Sequence, residues 1–183
     1  MLIVEMDFDE ALQQATAKAK QMVGNGLYSR FQLSYTQRVD KALLGCMGEF
    51  AFETLLKQHN INYELDTSDF VNTHSDEFDF KVNTKKIDIK VALKSTTNPP
   101  NDRWTYGYPQ EQNPQNKDFV VVGWVDFANK QVGFYGWITG KQITQYAVVT
   151  QNSFAKYRYL TPNYEFKWGD LDKNIAHIWA TNV

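Results

Sequence analysis

The chain has 183 residues, with 19 Lys and Arg against 21 Asp and Glu and a net charge of −2. That balance excludes a polycation that holds nucleic acid by bulk charge, so any such contact must rest on a local patch. A single cysteine, Cys46, excludes an intrachain disulfide and a cysteine-based zinc cluster. The start, Met1 to Glu10, carries Glu5, Asp7, Asp9 and Glu10 and lacks the basic and apolar stretches of a secretory leader. The longest mostly apolar run, Phe119 to Val125, is far shorter than the ~20 residues of a membrane-spanning helix. The expectation is one cytoplasmic domain over residues 1–183 with no membrane partner.

In chain order, Ala11, Leu12, Ala15, Ala19, Met22 and Val23 recur at helical spacing. They predict a helix over 8–23, started by Asp7 or Asp9 and stopped by Gly24-Asn25-Gly26. A second helix is predicted over 36–59, with Val39, Leu43, Met47, Phe50, Leu55 and Leu56 as its apolar side. Gly45 and Gly48 lie inside it, each costing about 1 kcal/mol against alanine, which calls for the close approach of another backbone. From Asn62 the period changes to two. Tyr63 and Leu65 alternate with polar residues. Phe78, Phe80 and Val82, then Ile87, Ile89, Val91 and Leu93, form the arms of a β-hairpin about Asn83-Thr84. Residues 95–117 read as a long polar loop with four prolines. Phe119–Val125 reads as a buried central strand, Val132–Ile138 as its neighbour and Lys141–Tyr146 as a short helix. Strand or loop is expected at 157–160 and 175–180. Helices followed by strands give a mixed α/β, or α+β, class with a central sheet.

The hairpin carries the chemistry. A two-residue loop sets Val82 opposite Lys85, Phe80 opposite Ile87, Phe78 opposite Ile89 and Asp79 opposite Asp88. The two carboxylates would then lie with Cβ atoms roughly 4.5–5.5 Å apart. Lys90 falls on the same face as Asp88. Two close carboxylates need a proton or a cation between them, and hard divalent ions take such oxygens together with water and phosphate. A metal lowers the pKa of water, and a lysine stabilises developing negative charge, so the group suits phosphodiester hydrolysis. The competing reading is the solvated face of an ordinary hairpin.

Asp79 followed by Asp88-Ile89-Lys90, preceded by the helical segment Gly45-Cys46-Met47-Gly48-Glu49-Phe50-Ala51-Phe52, resembles the PD-(D/E)XK nuclease superfamily. The similarity spans about residues 45–138, within a motif-bearing core of about 36–146. Phe78 stands where the pattern has proline, and Asp88 where glutamate is commoner. The resemblance implies a restriction-endonuclease-like fold, a central mixed sheet flanked by helices. It implies a divalent-metal-dependent endodeoxyribonuclease of restriction, phage or repair type that uses Mg²⁺ or Mn²⁺. Asp79 and Asp88 would be metal ligands, joined by the Ile89 carbonyl and by Glu49, and Lys90 would act on the attacking water or the scissile phosphate. The three histidines, His59, His74 and His177, show no ligand spacing.

Lys81, Lys85, Lys86, Lys90 and Lys94 form a local basic patch beside an acidic stretch from Glu64 to Asp79. Lys81, Lys94, Arg103, Arg30 and Arg38 are candidate DNA contacts, and Trp104, Tyr106 and Tyr108 are rings that can stack on bases; for Trp104 the alternative is a core anchor. The expected partner is double-stranded DNA, and cutting both strands points to a homodimer. Two other readings stand beside this one. One is a catalytically silent nuclease-fold module that binds DNA or serves as a scaffold; the other is an unrelated hydrolase using Asp79 and Asp88 as an acid/base pair.

Overall fold

The computed structural model describes residues 1–66 and 78–180. Most of the acidic stretch before Asp79, and His74 with it, lie outside the described residues. Two helices come first, α1 (Phe8–Gly24) and α2 (Tyr35–Gln58). The Asp7 side chain caps α1 by accepting from the Glu10 N–H, and Ser34 opens α2 in a capping box with Gln37. Ala11, Ala15 and Ala19 are buried at four-residue spacing and let α1 lie close along α2.

Among the described residues the strands form two sheets. The first is mixed and six-stranded, in the order β1-β7-β6-β4-β3-β2. It contains β1 (Leu2–Ile3), β2 (Glu64–Leu65), β3 (Phe80–Val82), β4 (Lys85–Leu93), β6 (Phe119–Asp126) and β7 (Gln131–Ile138). Only β4 and β6 run parallel; the other pairs are antiparallel. The second sheet is β5-β9-β8, from β5 (Thr105–Pro109), β8 (Val148–Gln151) and β9 (Arg158–Lys167). Short helices α3 (Gly140–Ile143) and α4 (His177–Ala180), with 3₁₀ turns at Gln110–Gln112, Pro114–Asn116 and Trp168–Asp170, complete the described elements. The class is α+β.

Strand β6 shows how the layers are made. Its Val121 and Val125 pack into a core with Ala15, Met47 and Phe52 of the helices. Val120, Val122 and Trp124 point the other way, into a second core with Tyr108 and Phe166 of the small sheet. A strand buried on both faces reads as a continuous apolar run, as this one does. Two expectations are corrected. The polar stretch 95–117 contains β5, because Tyr106 and Tyr108 alternate about Gly107 and pair with Phe166 and Tyr164. The segment 175–180 ends in the helical turn α4, where Ile178 is buried against the helical core. Among the described residues no helix is long and apolar enough to cross a membrane.

Candidate active site

The turn at Asn83-Thr84 sets the site. Both residues take positive φ, 49° and 68°, as in the type I′ turn whose twist suits a two-residue hairpin. It fixes Val82↔Lys85, Lys81↔Lys86 and Phe80↔Ile87, the expected register. On β4, Ile87 and Ile89 pack on the helices, while Ala92 packs on the second core. Asp88 and Lys90 share the parity of Ala92 and so face the small sheet.

The ladder ends at Phe80↔Ile87, so the expected pairs Phe78–Ile89 and Asp79–Asp88 do not extend it. The Asp79 N–H donates to the Ile87 carbonyl at 3.0 Å, and its Oδ2 accepts the Ile89 N–H at 2.6 Å. The Asp79 carboxylate thus takes the place on Ile89 that the Phe78 carbonyl would fill in a regular ladder. A donor left open by the short strand is satisfied by a side chain.

Asp88 is 5% exposed, and both of its oxygens are engaged. Lys90 Nζ donates to Oδ1 at 2.8 Å, and the Tyr108 hydroxyl donates to Oδ2 at 2.7 Å. Lys90 Nζ also lies 5.5 Å from the Tyr108 ring centroid. Burial pushes the Asp88 carboxyl up, but Lys90, Lys117 and the Tyr108 hydroxyl outweigh it and hold the group below the ordinary carboxylate range. Burial works against the Lys90 charge too, yet Asp88, Tyr108 and Asp79 keep its ammonium well above the usual lysine range. Asp79 goes the opposite way. Burial and then the charges of Asp88 and Glu49 push its carboxyl well up, opposed by Lys90 and the Ile89 N–H.

Glu49 reaches this group from α2. A Cβ on Gly48 would sit 2.8 Å from Val91 Cγ1 and 3.3 Å from Ile89 Cγ2, so the glycine is what lets the helix lie on β4. Gly45 has open space around it, and at Gly48 it is the side chains of Val91 and Ile89, not the expected backbone, that come close. Glu49 Oε2 accepts from Lys18 Nζ of α1 at 2.5 Å. Lys18 and Tyr108 escaped sequence reasoning as members of the site. The signals were the alanine stripe that seats α1 on α2 and the alternation of tyrosines about Gly107. Two more tyrosines border the group. Burial raises both the Tyr28 and the Tyr106 phenols, and both lie in the field of Lys90.

Asp79 therefore lies in the field of Asp88 and Lys90 and of Glu49, with α2 on one face of β4 and the Asp88–Lys90 pair on the other. Among the described residues, no group of three or more His, Cys, Asp or Glu side chains is arranged to hold a metal ion. Two carboxylates suffice for a hard divalent ion that keeps water ligands. Asp79 is a crowded carboxyl with no ammonium or guanidinium partner among the described residues. Such a group takes either a proton or a cation, whereas both oxygens of Asp88 are already engaged. Glu49 is turned to Lys18, and the Ile89 main chain meets Asp79 through its N–H rather than its carbonyl.

The expected DNA contacts are scattered. Lys81 pairs with Glu64 at 3.6 Å. Lys94 is closed in a buried ion pair with Asp126 at 2.7 Å and also donates to the Thr96 carbonyl, which removes it from the phosphate contacts. Trp104 packs edge-on against Trp168, with centroids 5.0 Å apart, and so anchors its segment. Arg103 is exposed on the rim of a cavity of about 450 Å³ with Pro100, Asn101, Asp102 and Tyr135. Arg38 is half-buried on α2, its guanidinium 6.0 Å from the Tyr35 ring centroid. Comparison of the chain with protein-family models, with curated proteins and with solved structures finds no match.

Proposed function

We propose that the chain is a divalent-metal-dependent nuclease with a restriction-endonuclease-like core that hydrolyses phosphodiester bonds in DNA. The observation that carries the reading is the buried, crowded Asp79 carboxyl, with no cation paired to it among the described residues, beside an Asp88–Lys90 pair on the next strand. Asp79 and Asp88 would hold Mg²⁺ or Mn²⁺, which supplies positive charge to acidify water and to neutralise the phosphate.

The chain's own groups do the rest. Tyr108 and Lys90 keep Asp88 ionised at neutral pH, so one acidic oxygen donor is always present. Lys90 Nζ is held on the face of β4 where a phosphate oxygen would arrive, and it offers an ammonium to the charge that grows during attack. The Lys18–Glu49 pair places a second carboxylate in the field of Asp79. A double-strand cut needs two such sites, which a second copy of the chain supplies.

The full engagement of both Asp88 oxygens favours a second reading, a catalytically silent DNA-binding or scaffold module. Cleavage of supercoiled plasmid and of labelled oligonucleotides in Mg²⁺, Mn²⁺ and EDTA separates the two. Cutting that requires metal and is lost in well-folded Asp88→Asn and Lys90→Met variants supports the nuclease. Binding without cutting by folded wild type in either metal supports the silent module.

A further inference from the structure

The nuclease reading leaves open which form of nucleic acid reaches the recessed site. The residues between α1 and α2 bear on that. This elbow is held by a run of turn bonds, with the Leu27 N–H on the Met22 carbonyl at 3.0 Å and the Phe31 N–H on the Tyr28 carbonyl at 3.1 Å. Within it Tyr28 takes φ 61°, a left-handed conformation that a bulky side chain rarely adopts. Its half-buried ring packs partly on the helical core and lies beside that of Phe31, with centroids 6.3 Å apart.

Cations alternate with these rings. The Arg30 guanidinium lies 4.5 Å from the Phe31 centroid, the Lys41 ammonium 5.7 Å from Tyr28 and the Arg38 guanidinium 6.0 Å from Tyr35. Tyr35 itself is 52% exposed. Between Tyr28 and Lys41 the chain carries Arg30, Arg38 and Lys41 against the lone acid Asp40. An ion pair from Arg30 to Glu111 sets the elbow against the turn that follows Tyr108 and β5, at the mouth of the site. Below it, Asp88 and Lys90 are recessed, with side chains 6% and 18% exposed.

Rings that alternate with cations match a polymer that alternates bases with phosphates. Stacking needs a free base face, which a paired and stacked duplex does not offer along its length. A recessed acceptor site also suits a flexible strand better than a rigid rod. We propose that the α1–α2 elbow is a track for an unpaired nucleic-acid strand, its bases stacking on Tyr28, Phe31 and Tyr35 and its phosphates meeting Arg38 and Lys41, which leads a phosphodiester to Lys90. The proposal rests on the nuclease reading and narrows its substrate from duplex DNA to unpaired strands or the unpaired part of a branched one.

Fluorescence anisotropy in EDTA tests the track without any cutting. The probes are an oligothymidylate and an oligouridylate of about 20 nucleotides, a length that spans one such groove, and a mixed-sequence duplex of equal length. Either single strand is expected to bind at least about tenfold tighter than the duplex, and the RNA arm tells whether the sugar is read. Tyr28→Asn removes the ring while supplying a residue that tolerates positive φ, so the elbow keeps its path. It is expected to weaken single-strand binding by about 5- to 100-fold, the range for losing one base–aromatic stack. Tyr35→Ala, on an exposed ring, should weaken it in the same direction with an unchanged melting temperature.

Duplex bound as tightly as single strand overturns the track, as does a folded Tyr28→Asn that binds like wild type. Metal-dependent cutting of duplex by Tyr28→Asn at the wild-type rate refutes the track and leaves the nuclease standing. Tyrosine-dependent strand binding without cutting by wild type in Mg²⁺ or Mn²⁺ supports the track and refutes the nuclease.

Discussion

Asp79→Asn should stabilise the protein while abolishing cleavage. In the folded chain the Asp79 carboxyl is buried and crowded by Asp88 and Glu49, and among the described residues its direct partner is the Ile89 N–H. Like charges at about 4–6 Å repel by roughly 3–4 kcal/mol at an effective permittivity of about 20. A hydrogen bond to a charged acceptor returns about 1.5–3 kcal/mol of that. Asparagine keeps an oxygen to accept the Ile89 N–H and drops the charge, so a net gain of roughly 1–2 kcal/mol follows. For a chain of this size that is about 2–8 °C in Tm. The pH dependence gives an independent check. The folded carboxyl titrates above its unfolded value, so as pH rises past about 4 the unfolded chain releases a proton that the folded chain still holds. Wild-type stability therefore falls with rising pH through that window, down to the level reached once folded Asp79 ionises, and the variant lacks this decline. Asp88 acts in the opposite sense: its contribution is complete above the unfolded carboxylate value and is lost as pH falls through it. Urea titrations of both proteins between pH 4 and 8, run beside a plasmid-cutting assay, make the measurement. A lower Tm for Asp79→Asn at neutral pH, or an unchanged decline with pH, refutes the account of a crowded carboxyl.

Four further outcomes are expected. Lys90→Met strands the nearly buried Asp88 charge and should cost about 3–5 kcal/mol in urea unfolding, with part of the loss recovered in the Asp88→Asn/Lys90→Met double variant; purely additive losses would show that the two groups do not interact. Tyr108→Phe removes one donor to a buried carboxylate and should cost roughly 1.5–3 kcal/mol, whereas a neutral change would place the hydroxyl elsewhere. Gly45→Ala, in open space, should stabilise α2 by about 1 kcal/mol. Gly48→Ala drives a methyl against Val91 and should cost about 1–3 kcal/mol, so equal signs in the two unfolding curves would refute the close approach. In wild type, Mg²⁺ at about 100 times its dissociation constant should add about 2.7 kcal/mol of stability that EDTA reverses, with no such gain in Asp79→Asn.

Local periodicity made the hairpin legible. Its register follows from alternating Phe80, Val82, Ile87 and Ile89 about a two-residue turn, and the structure pairs them in that register. The buried strand Phe119–Val125 and both long helices are likewise short-range patterns in apolar spacing. The irregular end of β3 was not legible, because the Asp79 carboxylate competes with the Phe78 carbonyl for the Ile89 N–H, and alternation alone cannot rank those acceptors. Strand β5 was hidden by polar and proline-rich neighbours; its pairing with Phe166 and Tyr164 is long-range. Lys18 was invisible for the same reason, since its partner Glu49 lies on the next helix and only packing of Ala15 and Ala19 brings them together. Lys94 looked like its neighbours in the basic patch. Only the parallel pairing of β4 with β6, where Leu93 meets Val125, brings it beside Asp126.

The two aspartates show why a motif underdetermines a site. They are the same residue on neighbouring strands, yet their environments drive their titrations apart. Asp88 is held ionised by a lysine two residues along its own strand and by a tyrosine from the other sheet. Asp79 is driven toward its neutral form by burial first, then by Asp88 itself and by a glutamate from a helix on the far side of β4. Acids separated in this way can take separate roles. Under the proposed function Asp88 would be a fixed anionic anchor, and Asp79 would be the variable partner that exchanges a proton for a cation. That division needs Tyr108 as much as Lys90. Without the small sheet, Asp88 would lose one of its two donors, and its carboxyl would rise toward that of Asp79.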